Sequence, residues 1–233
     1  MTELPYRSAL IVGAGPGISG SVARRLAQAG LKVALAARDP AKLEALAAET
    51  GAATFAADAS DPQAVERLFA EADARIGEPD VVLYNASGRT RGRIAELDPE
   101  AVRQALMVSA FGGFLVVRQA ARRMTTKGAG AILLTGATAS VKGFALSSAF
   151  AMGKFALRGL AQSAARELGP QGIHVAHFVI DGGVRSASRP DPADRPDSTL
   201  DPDAIAQSYV DVLRQPRSAW SWEIELRPWV ESF

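Results

Sequence analysis

The chain contains no cysteine among its 233 residues. Disulfide bonds, thiol nucleophiles and thiolate metal sites are therefore excluded. The two histidines, His174 and His177, lie in one predicted strand with no acidic ligand motif nearby, so we expect both to be structural and expect no metal site. A formal net charge of +1 gives no reason to expect nucleic acid or a membrane surface as a partner.

Long apolar runs are also missing. None approaches the roughly 18 residues that would cross a bilayer, and the polar start of the chain shows no signal peptide. We therefore expect a soluble, cytoplasmic protein. Hydrophobic residues make up 48% of the chain, which is enough for a sizeable core.

Short apolar runs alternate with amphipathic segments of helix length along the chain. Continuous apolar strands are buried on both faces, and helical crossovers between them require parallel pairing. The pattern predicts one α/β domain over 1–233, a doubly wound parallel sheet with helices on both faces. Strands are predicted at 9–12, 32–37, 53–57, 80–84, 131–135, 173–180 and 222–226, and helices at 17–29, 40–49, 62–75, 99–124, 147–168 and 202–214.

Two details of this pattern bear on later arguments. Asp39 and Asp61 precede prolines at helix starts and are predicted N-caps. The segment 183–202 is rich in proline and aspartate and is long for a loop in a compact domain. We predict a mobile lid there, with a disordered surface insertion as the alternative.

A glycine-rich segment, Gly13-Ala-Gly-Pro-Gly17-Ile-Ser-Gly20, joins the first strand to the first helix. Glycines there let backbone N–H groups approach a pyrophosphate, whose charge the helix N-terminus favours. Gly15, Gly17 and Gly20 fit G-x-G-x-x-G. Alternatively, Gly13 and Gly17 fit the first two glycines of G-x-x-x-G-x-G, with Ser19 at the third. The segment predicts a dinucleotide site, the alternative being a tight turn and nothing more.

From these glycines onward the chain resembles the short-chain dehydrogenase/reductase family, over roughly 8–186. Asp58-Ala59 matches the acidic residue that contacts adenine, Asn85-Ala86-Ser87-Gly88 resembles the family's Asn-Asn-Ala-Gly motif, and Gly183-Val-Arg-Ser186 resembles the segment that holds the nicotinamide carboxamide. The resemblance implies a Rossmann-like fold. The cofactor-binding positions we assign are Gly13, Gly15, Gly17, Ile18, Ser19, Arg38, Asp58, Ala59, Asn85, Ala86, Lys154, Val184 and Ser186.

The end of the second strand bears on the choice of cofactor. An acidic residue there would bond the ribose hydroxyls of NAD, but the position is Ala37 and is followed by Arg38. The planar guanidinium fork suits a phosphate. We therefore predict NADP(H). The alternative is that Arg38 stacks on adenine and either cofactor binds.

The family's catalytic positions are largely changed. Its members use a tyrosine as proton donor, a lysine four residues on, a serine thirteen residues before the tyrosine and an asparagine on the preceding helix. The matching residues are Phe150, Lys154, Ala137 and Ser109, so the lysine alone is retained. Thr138 offers a hydroxyl beside the serine position. We take Lys154, Phe150, Thr138 and Ser109 as the catalytic positions and expect the ordinary proton relay to be unworkable.

Two other residues are candidate proton donors. Tyr84 ends the fourth strand and Asp181 follows the sixth, and either could supply a proton, although packing is the plainer role for Tyr84. Arg89, Arg91 and Arg93 follow the Asn85 motif. They are either part of a solvated loop or attract an anionic substrate such as a carboxylate or acyl-CoA.

Three functions follow from these observations. The first is an NADP(H)-dependent oxidoreductase acting on a carbonyl or another polarised double bond of a small molecule, with a non-standard proton donor. The second is a catalytically silent NADP-binding sensor or partner protein, and the third is non-redox chemistry on the same scaffold. The resemblance also implies a homodimer or homotetramer formed through the helices predicted at 99–124 and 147–168.

Overall fold

Seven strands form one parallel sheet in the computed structural model, which describes residues 4–231. The order of the strands reverses between β1 (Ser8–Val12) and β4 (Val81–Tyr84), the topological switch point where such folds bind ligands. The predicted doubly wound fold is thus confirmed. The strands are β1 (Ser8–Val12), β2 (Lys32–Ala37), β3 (Ala53–Ala56), β4 (Val81–Tyr84), β5 (Gly130–Thr135), β6 (Ile173–Ile180) and β7 (Glu223–Leu226), in the order β3-β2-β1-β4-β5-β6-β7.

Helices cover both faces of the sheet. Helices α1, α2 and α7 pack in one core cluster, and α3, α5 and α6 in the other. Alternate residues of each strand point into the two clusters, which explains why β1 is buried along its whole length. The helices are α1 (Ile18–Gln28), α2 (Glu44–Thr50), α3 (Pro62–Ile76), α4 (Pro99–Leu106), α5 (Gly112–Lys127), α6 (Ser148–Leu168) and α7 (Pro202–Leu213).

The two predicted N-caps have different outcomes. Asp61 accepts a hydrogen bond from the backbone of Gln63 and caps α3 as predicted. Asp39 makes no side-chain capping bond, because its carboxylate pairs with Lys42 at 3.3 Å. The segment predicted as one helix over 40–49 is a short 3-10 turn followed by α2, so the prediction of an Asp39 cap is wrong.

The long helix predicted at 99–124 is interrupted by a π-helical turn, Met107–Phe111, between α4 and α5. The wider turn leaves a backbone carbonyl without its α-helical partner. The buried hydroxyl of Tyr84 donates to that carbonyl, on Val108.

This helical span has a second property that the sequence reading missed. By length and composition Pro99–Lys127 could cross a membrane, since it has 29 residues and a window of mean hydropathy 1.3. In the structure one side of the span is buried in the core against the sheet, including Val116 and Met124, while Phe111 and Phe114 are exposed. A core helix of a soluble protein passes the same test of length and composition.

The segment 183–202 has little regular structure, yet it is tied to the body of the protein. Arg185 pairs with Asp191 at 3.1 Å and with Asp201 at 2.5 Å. The backbone of Leu200 donates to the carbonyl of Gly183, and the Leu200 side chain is buried. Its opening and closing as a lid stays a prediction.

Candidate functional site

Three adjoining cavities form a cleft along the carboxyl ends of the strands. The first, of about 660 Å³, lies at the ends of β1, β2 and β4. The middle cavity, of about 290 Å³, faces the start of α1, and the end cavity, of about 470 Å³, lies between β5, β6 and α6. Asn85 lines all three, and its amide donates to the Gly13 carbonyl at 3.1 Å. The cleft is therefore continuous around Asn85.

The glycine-rich loop forms the wall between the first and middle cavities. Gly13 has φ +83°, and a Cβ on it would lie 2.3 Å from the backbone nitrogen of Ala86, so its own packing demands glycine. Gly15 and Gly17 differ, because a Cβ there would meet no protein atom. Both line the cleft. They leave open the space that a pyrophosphate needs at the N-terminus of α1.

Ser19 stabilises this loop from behind. Its buried hydroxyl accepts a hydrogen bond from the backbone N–H of Gly15 at 3.0 Å and lies within bonding distance of the Gly13 and Gly15 carbonyls. Ser19 also lines the middle cavity, and its predicted contact with the cofactor stays a prediction. Ile18, Val184 and Ser186 complete the middle cavity as the sequence predicts.

The first cavity holds the residues predicted to bind an adenosine. Asp58 and Ala59 line it opposite Arg38. Asp58 accepts bonds from the hydroxyl and backbone of Ser60, which lower the pKa of its carboxyl, with a smaller effect of Arg38. Among residues 4–231 no carboxylate lies within ion-pair distance of Arg38. Its guanidinium is therefore open to an anionic ligand.

The end cavity brings together the predicted catalytic positions on two elements. Ala137, Thr138, Phe150 and Lys154 all line it, so the serine and tyrosine positions face one space. The ammonium of Lys154 donates to the carbonyl of Thr135 at 2.6 Å. Burial, and secondarily the nearby charge of Arg89, lowers the pKa of Lys154 to about 7. Lys154 can thus gain or lose a proton near neutral pH.

Ser109 is the exception among the predicted catalytic residues. It is fully buried and does not line the end cavity. Its hydroxyl accepts from the backbone N–H of Gly88 at 2.9 Å and lies 3.3 Å from the Gly88 carbonyl. A Cβ on Gly153 would come within 2.6 Å of Ser109, so α6 encloses it. Ser109 fixes the loop after β4, and its catalytic role stays a prediction.

Sequence reasoning did not identify which arginine enters the site. The guanidinium carbon of Arg89 lies 4.0 Å from the ring centroid of Phe150, a cation–π contact. Arg189, from the segment after β6, lines the same cavity. Arg93 instead pairs with Glu96 at the surface. The Gly88–Arg93 run was the available signal, but Ser109 and Gly88 set the path of the loop.

The two alternative proton donors have other partners. Tyr84 is buried, which raises the pKa of its hydroxyl, and it donates to Val108 as described above. The carboxylate of Asp181 pairs with Arg227 at 2.9 Å. Neither residue lines the end cavity. The burial of Tyr84 agrees with its plainer role in packing, whereas Asp181 forms an ion pair.

A buried chain of polar groups supports the wall of the end cavity. Glu223 pairs with Nδ1 of His177 at 3.0 Å, and Nε2 of His177 lies 3.3 Å from the Ser140 hydroxyl. That hydroxyl accepts from the backbone N–H of Ala137 at 3.1 Å. Burial outweighs Glu223 and lowers the pKa of His177 to about 4, so the imidazole is neutral. Ser140 and His177 are both inaccessible, so this triad is structural.

Comparisons with known proteins agree with this geometry. The model of the short chain dehydrogenase family matches residues 7–191. A short-chain dehydrogenase/reductase of Armillaria gallica is 35% identical over 182 residues, which are 74% of this chain and 69% of that protein.

Solved structures extend the likeness to almost the whole chain. A short-chain dehydrogenase from Rhodopseudomonas palustris is 34% identical, with a TM-score of 0.81, and the match covers 96% of this chain and 99% of that one. A metagenomic short-chain oxidoreductase in complex with NADP is 26% identical, with a TM-score of 0.85, covering 99% of this chain and 100% of that one.

Proposed function

Because the chain belongs to the short-chain dehydrogenase/reductase family of oxidoreductases, we propose that it is an NADP(H)-dependent reductase of a carbonyl or another polarised double bond, with a proton donor other than tyrosine. The continuous cleft from Arg38 to Lys154 carries this proposal. Along this cleft lie the residues predicted to bind adenosine, then the glycine-rich loop, then the end cavity with the titratable Lys154.

The charges of the first cavity support NADP(H) over NAD(H). Arg38 faces the cavity without an ion-pair partner in residues 4–231, and Lys42 lines it too. Asp39, the acidic residue nearest to the ribose position, is neutralised by Lys42. A ribose phosphate would meet there the guanidinium of Arg38, which is unpaired within residues 4–231, and a guanidinium binds phosphate in a bidentate manner. The metagenomic relative was solved with NADP, which supports the same choice.

The residues of the cleft would hold NADPH, which when bound would provide hydride for a carbonyl carbon. A proton must then reach the carbonyl oxygen, and the chain has to provide it. Lys154 lines the cavity and its pKa of about 7 makes the ammonium an acid suited to neutral pH. Thr138 lines the cavity as well and offers its hydroxyl to the same oxygen. We propose that these two residues take over the roles of the missing tyrosine and serine.

Cofactor titration tests the first half of the proposal. Arg38→Ala is expected to weaken NADPH binding by about 10- to 100-fold, because a hydrogen-bonded charge contributes about 1.5–3 kcal/mol, and to leave NADH binding nearly unchanged. Arg67→Ala, on the exposed face of α3, is the matched control. Equal losses for both nucleotides would contradict a phosphate-specific role. Hydride transfer is then followed as loss of NADPH absorbance with ketones, enones and imines.

One observation favours a second candidate, a catalytically silent NADP-binding sensor. The two positions that usually act on the substrate oxygen, Ala137 and Phe150, both face the cavity and carry no polar group. This candidate predicts tight NADPH binding without turnover of any such substrate. The double substitution Ala137→Ser with Phe150→Tyr separates the two, since reductase activity gained only in the variant would favour the silent protein.

We also propose that the protein forms a homo-oligomer through α5 and α6. Four large apolar side chains are exposed near the starts of these helices, namely Phe111, Phe114, Met152 and Phe155. They lie close to the tight contact between Ser109 and Gly153, where the two helices meet. Covering such an apolar face is what a second copy of the chain would achieve. We propose a cytoplasmic location because members of this family are generally soluble.

A further inference from the structure

Three cations surround the end cavity. Arg89, Lys154 and Arg189, here called the cationic cluster, all line it, whereas none of them lines the first or middle cavity. The lining of the end cavity contains no aspartate or glutamate. Nor does a carboxylate lie within ion-pair distance of Arg89 or Arg189 anywhere in the described part of the chain. The cluster therefore lacks a counter-charge of its own.

The cations are held close enough to influence one another. Two cations face the Phe150 ring. The guanidinium carbon of Arg89 lies 4.0 Å from its centroid and the ammonium nitrogen of Lys154 lies 5.9 Å from it. Burial lowers the pKa of Arg89, and Arg189 lowers it further. Like charges brought together away from water cost free energy unless an anion compensates them. The protein maintains this arrangement by fixing the loop at Gly88 through Ser109.

The remaining lining is uncharged and partly apolar. Phe144, Phe150 and Ile180 contribute apolar surface, while Thr138 and Ser147 contribute hydroxyls. The loop that carries Arg89 is also bonded to the loop that carries Phe144, through the Gly92 N–H and the Leu146 carbonyl at 3.1 Å. A ligand that fits this lining has one anionic group and an apolar body.

We propose that the substrate of this site is an anionic carbonyl compound, a keto acid, whose carboxylate is bound by Arg89 and Arg189. This inference rests on the proposed reductase function and specifies its substrate. Arg89 binds the carboxylate through its guanidinium fork while the Phe150 ring holds that fork in place. Lys154 and Thr138 then interact with the carbonyl oxygen of the substrate. The Phe150 ring, at the family's tyrosine position, thus serves substrate binding by supporting an arginine.

The test measures anion binding apart from turnover. Malonate, which cannot be reduced, is titrated by calorimetry into the protein saturated with NADP⁺, with the neutral malonamide as the control ligand. Malonate is expected to bind and malonamide to bind at least tenfold more weakly. Arg89→Gln is expected to weaken malonate binding tenfold or more. Arg91→Gln, two residues along the same loop but outside the cavity lining, is the matched control and is expected to bind malonate as the natural protein does.

Several outcomes would overturn the inference. They are equal affinity for malonate and malonamide, an Arg89→Gln variant that keeps its malonate affinity, and an absence of malonate binding in the natural protein. An Arg89→Gln variant that loses NADPH affinity by the same factor would also overturn it, because the arginine would then serve the cofactor. Circular dichroism of the variant, and an Arg89→Lys variant with partial binding, show that the loss is not one of folding.

A kinetic comparison distinguishes this inference from the proposed function. Acetoacetate is expected to be reduced with at least tenfold higher kcat/KM than methyl acetoacetate, with the difference lost in Arg89→Gln. Reduction of both at equal rates would overturn the anionic substrate and leave the reductase standing. Malonate binding that depends on Arg89, together with no hydride transfer to any carbonyl, would overturn the reductase and leave an anion site.

Discussion

The buried triad of Glu223, His177 and Ser140 makes the stability of the protein depend on pH. Burial lowers the pKa of folded His177 to about 4, while an unfolded histidine titrates near about 6.5. Between these values the unfolded state binds more protons than the folded state, so stability falls as pH falls. At about 1.36 kcal/mol per pH unit, the loss from His177 is about 2 kcal/mol by pH 5 and about 3 kcal/mol by pH 4.

Urea unfolding followed by tryptophan fluorescence measures this loss. The free energy of unfolding is determined from pH 7.5 downward at fixed protein concentration, since association would shift it. His177→Gln, which is neutral at every pH, is expected to lose less stability than the natural protein by about these amounts, because carboxylates of lowered pKa such as Asp58 titrate in both proteins. Ser140→Ala keeps the imidazole and is expected to show the full loss. Parallel pH dependences in the natural protein and His177→Gln would refute the reasoning, because the imidazole would then not be the group that titrates.

Two further predictions concern catalysis and assembly. For carbonyl reduction, kcat/KM is expected to fall above about pH 7 as the Lys154 ammonium loses its proton. The Lys154→Met variant is expected to be about 10²–10⁴-fold slower and to lack this fall. An unchanged pH profile in the variant would assign the proton to another group. Phe155→Glu is expected to convert the oligomer into monomers in light scattering, whereas Ile94→Glu, an exposed apolar site elsewhere, should not; an oligomer that persists in Phe155→Glu would place the interface on another surface.

The sequence alone predicts those features whose structure depends on residues within a single element. The eight residues of β6 are predicted to their ends because a run of six apolar residues and two histidines between Gly172 and Asp181 is readable without tertiary context. The Asp61 cap follows from its own side chain for the same reason. The glycine loop is predictable because its position between a strand and a helix restricts what it can be.

Prediction failed where distant residues decide. The residues of the π-helical turn are compatible with an ordinary α-helix, and the carbonyl released by the turn meets Tyr84, which is remote in sequence. The position of Arg89 depends on Ser109 and on the loop path at Gly88. Such contacts form between elements, so composition and spacing carry no record of them.

The buried triad also bears on the order in which the protein is made. Arg158 of α6 holds Glu223 through two bonds of 2.7 Å, and Glu223 in turn holds His177. Glu223 lies in the last strand and so leaves the ribosome after every residue that lines the cleft. A nascent chain stalled before β7 would have its glycine loop and Lys154 in place, yet the wall at Ala137 would still lack its support. The wall at Ala137 is therefore supported only after Glu223 has been synthesised.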